Sequence, residues 1–456
     1  MTARGSALAQ RDIAYHLHPQ TNLRLHEEVG PLLMERGEGI HVFDEQGQRY
    51  IEGMSGLWCA TLGFSQPRLV EAAYQQLLKL PYQQTFAHRS HGPAADLAAL
   101  LIEHAPVGLT KAVFQSSGSE AVDTAIKFVR YYHTAIGKPG KTRLIARQRS
   151  YHGTTLAAAS LTGLPNMHKG WGEQLADVIH VRCPHLYRQG LPGESEEAFA
   201  TRLAEELEQT ILDAGPDTIG AFFAEPVMGT GGVILPPAGY FAKVQAVLSK
   251  YDILMVADEV ICGFGRTGHY WGCDAMGIEP DMLTCAKGLS AAFQPISALL
   301  VSERIYQVIA DQSQALGGLG HGYTYGGHPV AAAVALETLK IYDELDIVAH
   351  VRDVAPAFQA GIRALADHPL VGEARGIGLM AALEFVADKD SRMPFPAELK
   401  IAQQVSNALQ RNGILLRALG DTLVMAPPLI IDAQQIATIL NALTQALDDV
   451  LAGIRP

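Results

Sequence analysis

The chain is short of charge, of aromatic rings and of long apolar runs. Charged residues make up 18% of its 456 positions and aromatic ones 7%, against 48% hydrophobic, which excludes a disordered polyelectrolyte and fits a well-buried globular protein. No run approaches the roughly 18 consecutive apolar residues that a membrane span needs. The start from Met1 to Asp12 lacks the apolar core of a signal peptide, so a cytoplasmic protein with no membrane partner is expected. Five cysteines (Cys59, Cys183, Cys262, Cys273 and Cys285) are odd in number and scattered, with no Cys-x-x-Cys. Free thiols in a reduced compartment are expected rather than a disulfide framework. The 35 basic residues are outnumbered by 47 acidic ones, and the net charge of −12 argues against nucleic acid as a partner. A cationic amine is compatible with that sign.

Several catalytic patterns are also absent. There is no Gly-x-Ser-x-Gly elbow and no P-loop. His88-x-x-His91 lacks acid or cysteine partners at zinc spacing, so no metal is expected.

A chain of this length exceeds what one hydrophobic core usually serves. Gly39–Asp44 and Gln48–Glu52 alternate around Glu45-Gln46-Gly47 and predict a hairpin. From about 65 to 330, short apolar strands alternate with helical patterns, the signature of a parallel sheet wrapped by helices. The predicted strands are Ala112–Phe114, Arg143–Ala146, Ile219–Ala224, Ile253–Ala257, Met282–Ala286 and Ile296–Val301. A long helix from Pro329 to Leu345, a hairpin near Leu379–Phe385 and a closing helix from Ala433 follow. The expected division is an N-terminal segment 1–64, a large domain 65–328 and a C-terminal small domain 329–456.

Ligands of open α/β sheets bind beyond the carboxyl ends of the strands. Lys287 follows the Met282–Ala286 run, and Asp258, 29 residues upstream, follows Ile253–Ala257. A buried acid and a buried amine on neighbouring strands would converge on one crevice. Ser117-Gly118-Ser119 opens a helix whose Ala121, Ala125 and Val129 form one apolar stripe, and such a turn can cradle a phosphate. The plainer alternative is N-capping by Ser119. Glu225 ends another strand, either as a capping or salt-bridged acid or as a hydrogen-bonding partner for the phenolic side of a cofactor ring. Tyr151-His152-Gly153 follows Arg143–Ala146, where Tyr151 could cover a ring face opposite Val260 or simply sit in a surface turn. Gly263-Phe264-Gly265-Arg266-Thr267-Gly268 satisfies the dinucleotide fingerprint, but no helical pattern follows it, so a glycine-rich loop is expected.

In order and spacing these stretches resemble the class III (ω-) aminotransferases of the pyridoxal phosphate (PLP) fold type I, over essentially the whole chain. Gly56-Leu57-Trp58, Ser117–Ala121, Tyr151–Gly153, Glu225-Pro226-Val227, Asp258–Val260, Gly263–Gly268, Lys287-Gly288 and His321–Pro329 carry the likeness. The resemblance implies a large domain with a mostly parallel mixed sheet and a smaller α+β domain from both termini. It implies that Lys287 forms a Schiff base with PLP and later shuttles the substrate proton, and that Asp258 pairs with the pyridinium. Ser117, Gly118 and Ser119 would hold the phosphate and Tyr151 and Val260 the ring faces, with His152 and Glu225 also at the cofactor. Thr324 would reach the phosphate of a partner subunit, making the enzyme a homodimer with a shared site, possibly paired into a tetramer.

Within that family the likeness is to amine:pyruvate transaminases. Leu57, Trp58, Phe86, Tyr151 and Thr154 match pocket positions, and Arg417 matches a mobile arginine that binds an acceptor carboxylate. Ser116 and Val122-Asp123 depart from common residues without touching the chemistry, while Thr230 stands where many relatives carry alanine and could narrow the pocket. The expected activity is ping-pong transfer of an amino group from a primary amine or ω-amino acid to pyruvate. The alternatives are another fold type I reaction (aminomutase or decarboxylase) and, more remotely, a nicotinamide oxidoreductase.

Overall fold

The computed structural model describes residues 6–172, 174–175 and 177–454. An N-terminal ribbon of β1 (Met34–Glu38), β2 (His41–Asp44) and β3 (Arg49–Glu52) comes first. Seven strands then build the central sheet: β4 (Leu109–Gln115), β5 (Arg143–Arg147), β6 (Val178–Val181), β7 (Ile219–Ala224), β8 (Leu254–Asp258), β9 (Met282–Cys285) and β10 (Ser297–Ser302). The C-terminal part adds β11 (Val371–Ile377), β12 (Met380–Phe385), β13 (Ile414–Leu415), β14 (Arg417–Leu419) and β15 (Thr422–Met425).

The central order is β4-β10-β9-β8-β7-β5-β6. Pairs from β6 to β9 are parallel, and β10 runs antiparallel to both β9 and β4. Strands β7, β8 and β9 are buried along their whole length, which is why they read as continuous apolar runs rather than alternating ones. Ala121, Val122, Ala125, Ile126 and Val129 of helix Gly118–Ala135 all face the core, as the stripe requires. The parallel register pairs Ala224 with Ala257 and Asp258 with Thr284, so Glu225, Asp258 and Lys287 emerge side by side.

The other two sheets are small. β13 adds in parallel to β3, joining the C-terminal chain to the N-terminal ribbon, and the last sheet has the order β11-β12-β15-β14. The hairpin expected near Leu379–Phe385 is β11–β12, and the closing helix spans Ala433–Ile454. Among the strands that escaped the sequence reading, β1 is a polar, exposed edge and β6 is a four-residue edge strand. Among the described residues no helix is long and apolar enough to cross a membrane.

Candidate active site

The strand ends enclose one cavity of about 420 Å³. Ser117, Gly118, Ser119, Tyr151, His152, Glu225, Asp258, Val260 and Lys287 all line it. Nine residues singled out by sequence therefore meet in one place.

At one end lies the N-terminus of the 18-residue helix Gly118–Ala135. Its cap is Ser117, whose Oγ accepts from the Glu120 amide at 3.2 Å, and not Ser119 as the plainer expectation had it. The Ser119 hydroxyl oxygen instead accepts the Thr154 amide at 3.0 Å, tying the helix start to the 151–154 loop. Gly118 is needed for closeness, because a Cβ there would stand 3.2 Å from both methyls of Val260. Unpaired amides of a helix start favour an anion.

Asp258 is 3% exposed, so an unpartnered carboxylate here would cost several kcal/mol. Its Oδ1 accepts the Val260 amide at 3.1 Å and the Thr284 hydroxyl at 3.3 Å, and its Oδ2 lies 2.7 Å from His152 Nδ1. His152 is buried, and its Nε2 has no partner among the described residues.

Glu225 lines the cavity at the end of β7. Both carboxylate oxygens are engaged by backbone, accepting the Tyr151 amide at 3.0 Å and the Gly229 amide at 2.9 Å. Burial raises its pKa, a rise opposed chiefly by His152. Tyr151 is thus held by its own backbone against the cavity, not left in a surface turn, and burial raises its phenol.

Lys287 follows β9 at φ +48, with Ala291 and Ala292 at φ +48 and +71 in the same turn. Three non-glycine residues in left-handed conformation are strain that the surroundings must hold. Gly288 permits this packing: a Cβ there would lie 3.1 Å from the Phe264 ring, and its carbonyl accepts the Tyr342 hydroxyl at 2.6 Å. Burial pulls the Lys287 amine below its ordinary pKa, partly opposed by Asp258, Cys59 and Glu225. The glycine-rich loop 263–268 turns without opening a helix at its glycines. It delivers the buried Arg266, which donates to the carbonyls of Leu379 (2.9 Å) and Pro427 (2.5 Å) and to Ser55 Oγ (3.2 Å). The dinucleotide pattern is accounted for by this clamp.

Seven expected site residues lie outside the cavity wall. Trp58 is 2% exposed and packs with Met54, Val227, Val233 and Ile261, one residue from the cavity-lining Cys59. Thr230 is half-buried in the loop between Gly229, fixed by Glu225, and Gly232, whose carbonyl accepts from Arg375 at 2.7 Å. Arg417 on β14 is half-buried and interacts electrostatically with Tyr151. Thr154 is exposed beside Ser119. Leu57 and Phe86 are exposed, and a Cβ on Gly322 would come within 2.5 Å of the Phe86 ring. Thr324 is exposed, and its carbonyl accepts the Tyr82 hydroxyl at 2.8 Å.

Some contributors went unread. Cys59, Ser290, Gln294 and Ile296 line the cavity. Ser116, set aside as outside the chemistry, lines it too, with its amide donating to Glu120 at 2.7 Å. Asp123, set aside likewise, accepts from the Thr155 hydroxyl (2.8 Å) and the Ala158 amide (3.0 Å), anchoring the loop that follows Tyr151.

The segment leading to Trp58 carries a pH signal. Glu52 accepts the Met54 amide at 3.0 Å, and burial raises its carboxyl to about 7. The folded state therefore binds this proton more tightly than the unfolded chain, whose glutamate titrates near 4.5. The stability it contributes is full below 4.5 and lost as pH rises through 7. Glu52→Gln should melt progressively higher relative to the parent as pH rises between these values. A Tm difference that stays constant across that window contradicts this.

The mixed sheet with an acid and an amine at adjoining strand ends is the arrangement that the resemblance to PLP enzymes of fold type I implies. The chain belongs to the class III aminotransferases: the pattern described as "Aminotransferase class-III" matches residues 25–447. γ-Aminobutyrate transaminase 1, mitochondrial, of Solanum lycopersicum is 49% identical over 421 residues, covering 92% of this chain and 82% of that one. An ω-transaminase from Pseudomonas jessenii solved in complex with PMP superposes with a TM-score of 0.97 at 52% identity, over 98% of this chain and 99% of that one. A thermostable ω-transaminase variant, engineered for asymmetric synthesis of enantiopure bulky amines by changing a tryptophan, a phenylalanine and an arginine, also gives 0.97. It is 51% identical over 98% of this chain and 100% of that one.

The cofactor is pyridoxal 5′-phosphate, and the cavity suits it. A buried carboxylate lies where a ring nitrogen could pair with it, the helix start offers amides and hydroxyls to a phosphate, and Lys287 reaches the same space. The volume falls in the range of ordinary ligand sites.

Proposed function

We propose that this PLP-dependent transaminase moves an amino group from a primary amine or ω-amino acid to pyruvate, and works as a cytoplasmic homodimer. Arg417 carries the reading. It is a half-buried guanidinium near Tyr151, with no hydrogen-bonded or ion-paired carboxylate among the described residues. Such a group is costly unless an anion arrives, and its fork matches a carboxylate. The tomato relative is named for γ-aminobutyrate, an ω-amino acid, which supports the donor class. The variant engineered for bulky amines supports roles for Trp58, Phe86 and Arg417 in the substrate region.

Bound PLP supplies an electron-poor ring that takes up charge from the carbon losing its proton. Lys287 Nζ would hold the cofactor and, once displaced from it by the substrate amine, would remove and return that proton, a task its lowered pKa suits. Asp258 holds the ring nitrogen protonated, with His152 holding Asp258. Ser117, Gly118 and Ser119 bind the phosphate, joined by Thr324 of a second subunit. Tyr151 and Val260 bound the ring, Glu225 fixes Tyr151, and Leu57, Thr154 and Thr230 complete the substrate walls.

The direct test is alanine formation from pyruvate with a donor panel of diamines, β-alanine, other ω-amino acids and arylalkylamines. The reading requires alanine in proportion to donor consumed, and no transfer to pyruvate from any donor overturns it. Arg417→Leu should raise KM for pyruvate about 10- to 100-fold, the worth of a charge-assisted hydrogen-bond pair. KM for an arylalkylamine should change little. An equal rise for both would place Arg417 outside acceptor binding.

A further inference from the structure

A cluster that transamination does not use lies in the N-terminal segment. Asp12 sits on the helix Ala7–Tyr15 with its side chain 16% exposed. Its Oδ2 lies 3.1 Å from His16 Nδ1, and its Oδ1 lies 2.6 Å from His18 Nε2 and 3.3 Å from His26 Nε2. His16 is the C-cap residue of that helix, and the buried His26 lies in the last turn of the helix Leu23–Val29. The three rings lie in a row, with centroids 4.3 Å apart for His16 and His18 and 4.1 Å for His18 and His26.

Three imidazoles this close repel one another if all are protonated, and one carboxylate offsets one charge. The donor atoms of Asp12, His16 and His18 all lie within 4.8 Å of one another. Bonds of about 2.0–2.2 Å in a tetrahedral zinc site put neighbouring donors about 3.4 Å apart, so modest side-chain rotations suffice. We propose that Asp12, His16 and His18 form a binding site for a divalent transition-metal ion of the zinc class, with His26 hydrogen-bonded to the same carboxylate. Nitrogen donors with one carboxylate suit zinc and not magnesium or calcium, which take oxygen shells.

Three protein donors leave one position of a tetrahedral ion to water, and His26 on the carboxylate ties the site to the helix Leu23–Val29. None of the four lines the cofactor cavity. The sequence reading weighed only His88-x-x-His91 for a metal and did not single out Asp12, His16, His18 or His26. A second convergence, His185 with Glu373 and Glu384, is weaker: Arg375 already bonds both carboxylates and Arg188 bonds Glu384.

The test is equilibrium dialysis of chelator-treated holoenzyme against Zn²⁺, with bound metal counted by atomic absorption and melting followed in parallel. The site predicts one zinc per chain at micromolar or lower free metal, and a rise in Tm on binding. His16→Ala/His18→Ala should weaken that binding at least tenfold and abolish the Tm rise, with the PLP absorbance retained. Absence of this equivalent in the parent, or its persistence in the double variant, overturns the proposal. Asp12→Asn gives an independent check should the double variant fold poorly.

Discussion

Lys287→Ala is expected to lower kcat for amine-to-pyruvate transfer by about 10⁴-fold or more. Proton transfer by a positioned group alone contributes on the order of 10²–10⁴, and losing the covalent link to the cofactor adds to that. The loss falls on chemistry and not on folding. Lys287 occupies a left-handed turn held from outside by Tyr342, Phe264 and the 286–289 backbone, none of which needs the lysine side chain. The variant should match the parent in circular dichroism while alanine production disappears. Steady-state assays resolve this, and a loss of less than about 100-fold would mean that another group carries the proton.

Asp258→Asn ranks second, with an expected loss of about 10²–10³ in kcat, the usual cost of removing one preorganised electrostatic partner. On the proposed reading, the substitution removes the carboxylate that would pair with the ring nitrogen. It also disturbs the hydrogen bonds from Val260, Thr284 and His152 that aim the carboxylate. His152→Ala separates the two effects. It leaves the charge in place and removes only the orientation, so its loss should be smaller, on the order of tenfold. Equal losses in the two variants would mean that orientation, not charge, is what Asp258 contributes.

The parts legible in sequence are those whose physics is local. β7, β8 and β9 are buried on both faces and so read as apolar runs, and their ends carry Glu225, Asp258 and Lys287 by chain connectivity alone. The parallel register that places those ends side by side follows from the βαβ alternation. The parts not legible depend on contacts between distant segments. Nothing near Glu225 in sequence signals that its carboxylate binds the amides of Tyr151 and Gly229. Asp123 reads as a solvated helix residue until the 155–158 backbone arrives beside it. Ser117 and Ser119 are both good caps by residue type, and only the helix start chooses between them. The Asp12 cluster is hidden for a similar reason: a turn between two helices brings His26 back to a carboxylate 14 positions earlier.

The central claim is that the crevice between β8 and β9 is the PLP centre and Lys287 its amine. Borohydride reduction of the holoenzyme, followed by proteolysis and mass spectrometry, tests it most directly. The account predicts loss of the visible chromophore and a single pyridoxyl modification, on the peptide containing Lys287. A pyridoxyl group on any other lysine, with Lys287 unmodified, would contradict it.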